Sequence, residues 1–182
     1  KDKGENDKVD KHVQRIKTSV NHLTLILNDF LSLGKLEEGK VDIHKEPINL
    51  EEFIDEINEE VRSFFKPGQH VIVHCEEGYK QVDSDVRILR NIMFNLISNA
   101  SKYSDAHKNI FLTCSKNHDH IVFIIKDEGI GIPKEDQKHL FERFFRASNV
   151  TAIQGTGLGL NIVNRYIKLM NGTMHYKSAE HI

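Results

Sequence analysis

Asn91-Ile92-Met93-Phe94-Asn95-Leu96-Ile97-Ser98-Asn99-Ala100 is the stretch on which the reading of this chain turns. Its three asparagines stand at i, i+4 and i+8, a spacing that stacks them in one ridge along a helix. Ile92, Met93, Phe94, Leu96 and Ile97 make the surrounding surface apolar, which argues against an ordinary solvated face, and packing alone does not need three amides. Carboxamide oxygens are hard ligands suited to Mg2+, which keeps several waters and takes one or two protein ligands plus substrate phosphates. One turn further on, Lys102 can serve as a point charge to a phosphate and Tyr103 offers a ring face. Asp83-Ser84-Asp85 supplies N-cap candidates, so a helix is predicted over residues 86–103.

Outward toward the C-terminus, strands are predicted over 109–115 and 120–126, joined by the polar turn Lys116-Asn117-His118-Asp119. The second strand runs into Asp127-Glu128-Gly129-Ile130-Gly131-Ile132-Pro133, which sets a carboxylate at a strand end with two glycines behind it. Such a carboxylate can accept from an exocyclic amine while the glycines allow close backbone approach. Gly155-Thr156-Gly157-Leu158-Gly159-Leu160 is a second glycine cluster, leading directly into a helix predicted over 158–170, whose N-terminal N–H groups can hold phosphate oxygens. Neither cluster fits G-x-G-x-x-G in a βαβ unit, and no Gly-Lys-Ser/Thr of a Walker A loop occurs. Between them lies Phe141-Glu142-Arg143-Phe144-Phe145-Arg146, two cations among three aromatics. Its arginines could stabilise charge on a transferring phosphoryl group, and its phenylalanines could anchor a mobile loop. The stretch from Arg146 to Thr156 has little apolar content, so it is expected to be loosely ordered without ligand. A short helix over 134–141 and a last strand over 173–177 complete this half.

Toward the N-terminus, strands are predicted over 41–48 and 69–75, flanking a helix over 50–65 that ends before Pro67-Gly68. Helices and antiparallel strands thus mix. The fold class is α/β, a two-layer sandwich of a mixed, mainly antiparallel sheet and helices. Before it, Val13, Ile16, Val20, Leu23, Leu27 and Phe30 are spaced 3, 4, 3, 4, 3, a heptad seam that Gly39 terminates. Leu25, Ile26, Leu31, Leu33 and Leu36 widen the stripe beyond a two-stranded coiled coil, favouring a helix bundle. A helix over 12–38 would be about 40 Å long, which suggests that it projects and meets helices of another chain. The expected division is a helix unit at 1–40 and an α/β domain at 41–182.

Composition narrows the partners. With 25 Lys plus Arg against 27 Asp plus Glu, the net charge of −2 supplies no basic field for nucleic acid, so any phosphate binding is local. No apolar run approaches the roughly 18 residues of a membrane helix; with a polar Lys1-to-Lys11 leader, this points to a cytoplasmic protein or the cytosolic piece of something larger. Cys75 and Cys114, far apart and without metal-ligand spacing, read as reduced core thiols. His118 and His120 read as a solvated hairpin tip, since no third ligand is near.

Taken in order, these segments resemble the catalytic ATP-binding half of the two-component sensor histidine kinases of the GHKL superfamily. Asn95 through Asn99 to Lys102-Tyr103-Ser104 matches that family's N box, Asp127 to Ile132 its G1 box, Phe141 to Arg146 its F box and Gly155 to Leu160 its G2 box. The heptad helix ending in Leu36-Glu37-Glu38-Gly39-Lys40-Val41 resembles the second helix of the family's dimerisation hairpin. The resemblance implies an enzyme that transfers the γ-phosphoryl of Mg-ATP to a histidine for relay to a response regulator aspartate. ATP and Mg2+ would be its cofactors, and its partners a phosphoacceptor helix, a receiver domain and a second copy of the intact protein.

Carried onto this chain, Asn99 would ligate Mg2+ with Asn95 beside it. Asp127 would bind the adenine amine and Tyr103 would line the base. Gly129, Ile130, Gly131, Ile132 and Phe141, with Gly155, Thr156, Gly157, Leu158 and Gly159, would complete the nucleotide contacts. Lys102 and Arg146 would approach the terminal phosphates, Arg143 would join the catalytic cations, and Ile132 to Thr156 would form the lid. In the GHKL hydrolases the position four before the Mg2+-binding Asn is a Glu that activates water; here it is Asn95, which cannot take a proton at neutral pH. A serine kinase of the anti-sigma type shares the nucleotide boxes but not the heptad helix, and a module that only dimerises would not need intact boxes. Two departures remain. The phosphoacceptor box is missing, and the chain stops at Ile182 before the family's usual last glycine turn and strand. Both suggest a piece of a longer protein, unable to phosphorylate itself.

Overall fold

The computed structural model describes residues 3–76, 81–117, 120–151 and 153–180. It falls into two compact units, Lys1–Val41 and Asp42–Ile182. The first is one helix, α1 (Lys3–Glu37). It stops where Gly39 adopts a left-handed φ of 63° and the Lys40 N–H returns to the Lys35 carbonyl at 3.2 Å, a glycine C-cap. The heptad residues Val13, Ile16, Val20, Leu23, Leu27 and Phe30 are each more than half exposed. The side chain of His22 lies outside the described residues.

The second unit begins with β1 (Glu46–Asn49) and α2 (Leu50–Arg62), followed by β2 (His70–Cys75) and β3 (Gln81–Ser84). Then come α3 (Val86–Tyr103), β4 (Asn109–Asn117), β5 (His120–Lys126) and α4 (Gly159–Leu169). Asn49 caps α2 by accepting from the N–H groups of Glu51 and Glu52. Asp85 caps α3 by accepting from Arg87 and Ile88. β1 pairs antiparallel with β3; in the second sheet β4 pairs parallel with β2 and antiparallel with β5. The sandwich of mixed, mainly antiparallel strands against helices is the one the sequence pattern predicts.

The core is where the apolar faces of α2 and α3 meet the inward side of β4. Phe53, Ile54, Ile57 and Val61 pack with Leu89, Met93, Ile97 and Ala100 over Ile110, Leu112 and Cys114. The strand residues alternate inward with period two, the helical ones with the three-to-four spacing of one face. Burial of this set fixes α3, and with it the asparagine ridge on its other side.

Several expectations are corrected. Cys75 and Cys114 are not free thiols: parallel pairing puts them directly opposite each other, Cα atoms 4.5 Å apart, and they are joined as a disulfide. The short helix over 134–141 is only a 3-10 turn at Gln137–His139. The first strand starts at Glu46 rather than Val41, and β3, read only as a cap region, is a strand of its own. The segment 173–177 is irregular, because its anchors are not ladder bonds: Tyr176 donates to the Gln137 carbonyl at 2.9 Å, and Ser178 Oγ accepts from the Ile132 N–H at 2.9 Å. His118 and Asp119 of the predicted hairpin tip lie outside the described residues.

Candidate functional site

The ridge on α3 is internally organised. Asn95 Nδ2 donates to both the carbonyl and the side-chain oxygen of Asn91, at 3.0 Å each. Its own amide oxygen therefore turns toward the start of α4. There Gly159 lies so close that a Cβ would sit 2.7 Å from Asn95 Oδ1 and 3.7 Å from Asn99 Nδ2. Any larger residue there would push the Asn95 amide off its bonds to Asn91. α4 has no side-chain N-cap, so its first backbone N–H groups are offered to whatever occupies the site. Leu158, Ile162 and Val163, all buried, hold that end of α4 in place.

At the other end of the ridge, the Lys102 ammonium lies 4.9 Å from the Tyr103 ring centre, a cation–π contact. Gly155 packs directly against Lys102 Nζ, and a Cβ there would be 3.8 Å from the Tyr103 hydroxyl. The loop from Gly155 to Gly159 thus spans from Lys102 to Asn95 along one side of α3. Thr156 Oγ1 accepts from the Leu158 N–H at 3.2 Å, which shapes that span. Asp127 joins through the backbone. The Ile130 N–H donates to the Tyr103 carbonyl at 3.2 Å, Ser104 and Gly129 form an isolated antiparallel bridge, and Asp127 Oδ1 accepts from the Gly129 N–H at 2.9 Å. A Cβ at Gly129 would press on both Asp127 and Tyr103, and Gly131, at a φ of 69°, runs against the Ala179 backbone. Close approach, rather than loop flexibility, is what these glycines supply.

The predicted cations between the glycine clusters are placed differently. Arg146 donates through Nη2 to the carbonyls of Val150, at 2.7 Å, and Ile153, while its Nε is buried with no partner. Its guanidinium is thus committed to the loop's own backbone, and Arg143 is exposed. Phe141 packs edge-on to Tyr176 with ring centres 5.6 Å apart, and Gly157, at a φ of 70°, fits against the backbone of Phe144 and Phe145.

The stretch after Arg146, expected to be loose, is tied at several points. Ala147 and Val150 are buried, Asn149 Nδ2 donates to the Gly131 carbonyl, and Ser148 donates to Asp136 through both its N–H and its hydroxyl, at 2.7 Å. Those two bonds hold the Asp136 carboxyl below its ordinary pKa. Sequence reading passed over Asp136 and also Asn161, whose Nδ2 donates to the Phe141 carbonyl at 2.6 Å. A buried amide interrupting the apolar Leu160-to-Val163 run was the available signal.

Among the described residues no group of three or more His, Cys, Asp or Glu could hold a metal. The donor set fits Mg2+ only in the form that relies on a carboxamide, with phosphate and water completing the shell. The glycine-lined span facing Lys102, Asn95 and Asn99 has the open backbone such a phosphate chain requires.

Residues 84–181 match the model of a family described as histidine kinase-, DNA gyrase B- and HSP90-like ATPases. Over 173 residues the chain is 29% identical to the circadian input-output histidine kinase CikA of Synechococcus elongatus, covering 92% of this chain and 23% of that protein. It therefore spans about a quarter of that relative's length. Among solved structures, full-length ShkA in complex with AMPPNP shares the fold at a TM-score of 0.74, with 24% identity, over 93% of this chain and 36% of that one. The complex of histidine kinase ThkA with the response regulator TrrA matches at a TM-score of 0.63, with 20% identity, over 90% of this chain and 45% of that one.

Proposed function

The chain belongs to the family of histidine kinase-, DNA gyrase B- and HSP90-like ATPases, carrying the ATP-binding domain of a GHKL histidine kinase, and from that premise we propose that it transfers the γ-phosphoryl of Mg-ATP to a histidine on a separate helix. The phosphoryl group would then pass to an aspartate of a response regulator. The observation that carries this reading is the convergence on α3: Asn95 and Asn99 beside Gly159, Lys102 and Tyr103 beside Gly155, and Asp127 tied to Tyr103 through Gly129 and Ile130.

In this arrangement Asp127 accepts from the adenine amine and Tyr103 lines the base. The N–H groups at the start of α4 and the Lys102 ammonium take the phosphates, so charge developing on the terminal phosphoryl meets fixed donors. Asn99 would hold Mg2+, which when bound neutralises phosphate charge. Asn95 is an amide with its Nδ2 already bound to Asn91, so no side chain at that position can draw a proton from water. This favours transfer to a second protein group over hydrolysis.

Calorimetric titration tests the site. Mg-ATP is expected to bind this chain, and Asn99→Ala or Asp127→Ala to abolish binding. Undiminished affinity in both variants would overturn the assignment.

A further inference from the structure

The carbonyls of Ser101, Lys102 and Tyr103 close the last turn of α3, followed by those of the C-cap Ser104 and of Asp105 just beyond it, and helix ends leave such groups without intrahelical partners. No glycine caps this end: Ser104 is the C-cap, in an extended conformation at φ −95°. Ile130 takes the Tyr103 carbonyl. The other four accept from two side chains of the loop between α2 and β2, Asp105 also from the Lys108 N–H at 3.4 Å. Gln69, 4% exposed, donates through Nε2 to the carbonyls of Ser101, Ser104 and Asp105 at 3.1, 3.3 and 2.9 Å. Lys66 Nζ donates to the carbonyls of Lys102, at 3.0 Å, and Ser104.

The clamp is itself built. Gln69 Oε1 accepts from the Lys66 N–H at 2.9 Å and the Ser101 hydroxyl at 2.7 Å, so both ends of the amide are used. Gly68 has a φ of 73° and no room for a Cβ beside the His107 ring, and the His107 N–H closes onto the Pro67 carbonyl at 3.0 Å. An ammonium at a helix C-terminus also meets the negative end of the helix dipole.

We propose that Lys66 and Gln69 are positioning residues for the nucleotide: by fixing the carbonyls of residues 101–105 they set the direction in which Lys102 and Tyr103 leave α3. The bonds that Lys66 Nζ and Gln69 make run to the chain itself. The proposal rests on the nucleotide-site reading above, since it concerns how that site is oriented.

The test is calorimetric titration of Mg-ATP into the full chain and its Lys66→Met, Lys66→Arg and Gln69→Leu variants, with far-UV circular dichroism to establish folding. Loss of a positioning contact is expected to weaken binding about five- to ten-fold in Lys66→Met and Gln69→Leu. Stoichiometry should stay unchanged, and Lys66→Arg should regain most of the affinity. A merely structural role would lower the number of binding-competent molecules and leave the affinity of the rest unaltered; that result overturns the proposal, as does wild-type affinity in a folded Lys66→Met. Should Gln69→Leu fail to fold, the two Lys66 variants decide alone. If the unaltered chain does not bind Mg-ATP, the nucleotide-site reading itself has failed, and the proposal falls with it.

Discussion

Asp85 shows how much one side chain carries in this fold. It is 1% exposed, and its carboxylate accepts from the N–H groups of Arg87 and Ile88, from the His44 N–H at 2.9 Å and from the Arg87 guanidinium at 2.9 Å. Burial alone would raise its pKa; the bonds from Arg87, His44 and Ile88 outweigh that and bring it from 3.8 to about 2. A depressed carboxyl contributes stability that is complete above the unfolded pKa and lost as pH falls through the folded one. Urea unfolding is therefore expected to show a loss of about 2 kcal/mol from this group between roughly pH 5 and pH 2. That portion of the acid slope should vanish in Asp85→Asn; an unchanged slope in a folded variant would contradict the linkage. The cap was legible from Asp83-Ser84-Asp85, because capping is local. The bond to His44 was not, since the partners stand 41 residues apart and no periodicity relates them.

At the scale of the element, local pattern held wherever a segment's own hydrophobic spacing decided its form. α3 spans the predicted 86–103 and β5 the predicted 120–126, and the glycines behind Asp127 marked a close backbone approach. It failed where a distant partner decided. The segment 173–177 has strand-like composition but is strapped to Gln137 and Ile132 by side chains, and the Cys75–Cys114 disulfide follows from a parallel register invisible in either strand alone. The loop after Arg146 differs from expectation for another reason, because its polarity concealed a short-range tie: one guanidinium gathers the carbonyls of Val150 and Ile153. Arg146→Ala is expected to free this loop, raising amide exchange at Val150 and Ile153 by roughly ten-fold, as loss of a charge-assisted bond of about 1.5 kcal/mol implies. Exchange unchanged from the unaltered chain would show that the loop is held by its buried apolar residues instead.

For the molecule as a whole, the sequence contains no His followed by an acidic residue, a basic residue, Ser or Thr, and Pro-Leu. His12 is followed by Val13, with Lys17 where the proline would stand, and His22 by Leu23 and Thr24. Without a neighbouring acid to help take the imidazole proton, this chain alone is expected to acquire no acid-labile phosphate from γ-labelled ATP. Transfer should appear when a polypeptide carrying a phosphoacceptor helix is added. Stoichiometric labelling mapped to His12 or His22 would overturn that expectation. The parallel pairing of β2 with β4 has a consequence for how the fold and its ligand communicate. α3 lies on the crossover between those strands, so the position of the ridge is tied to the register of segments 39 residues apart. Nucleotide should then act on the folding equilibrium as a single all-or-none term, adding about 2.7 kcal/mol at a hundred times its Kd and raising the barrier to opening across the whole α/β unit rather than at the loops that touch it.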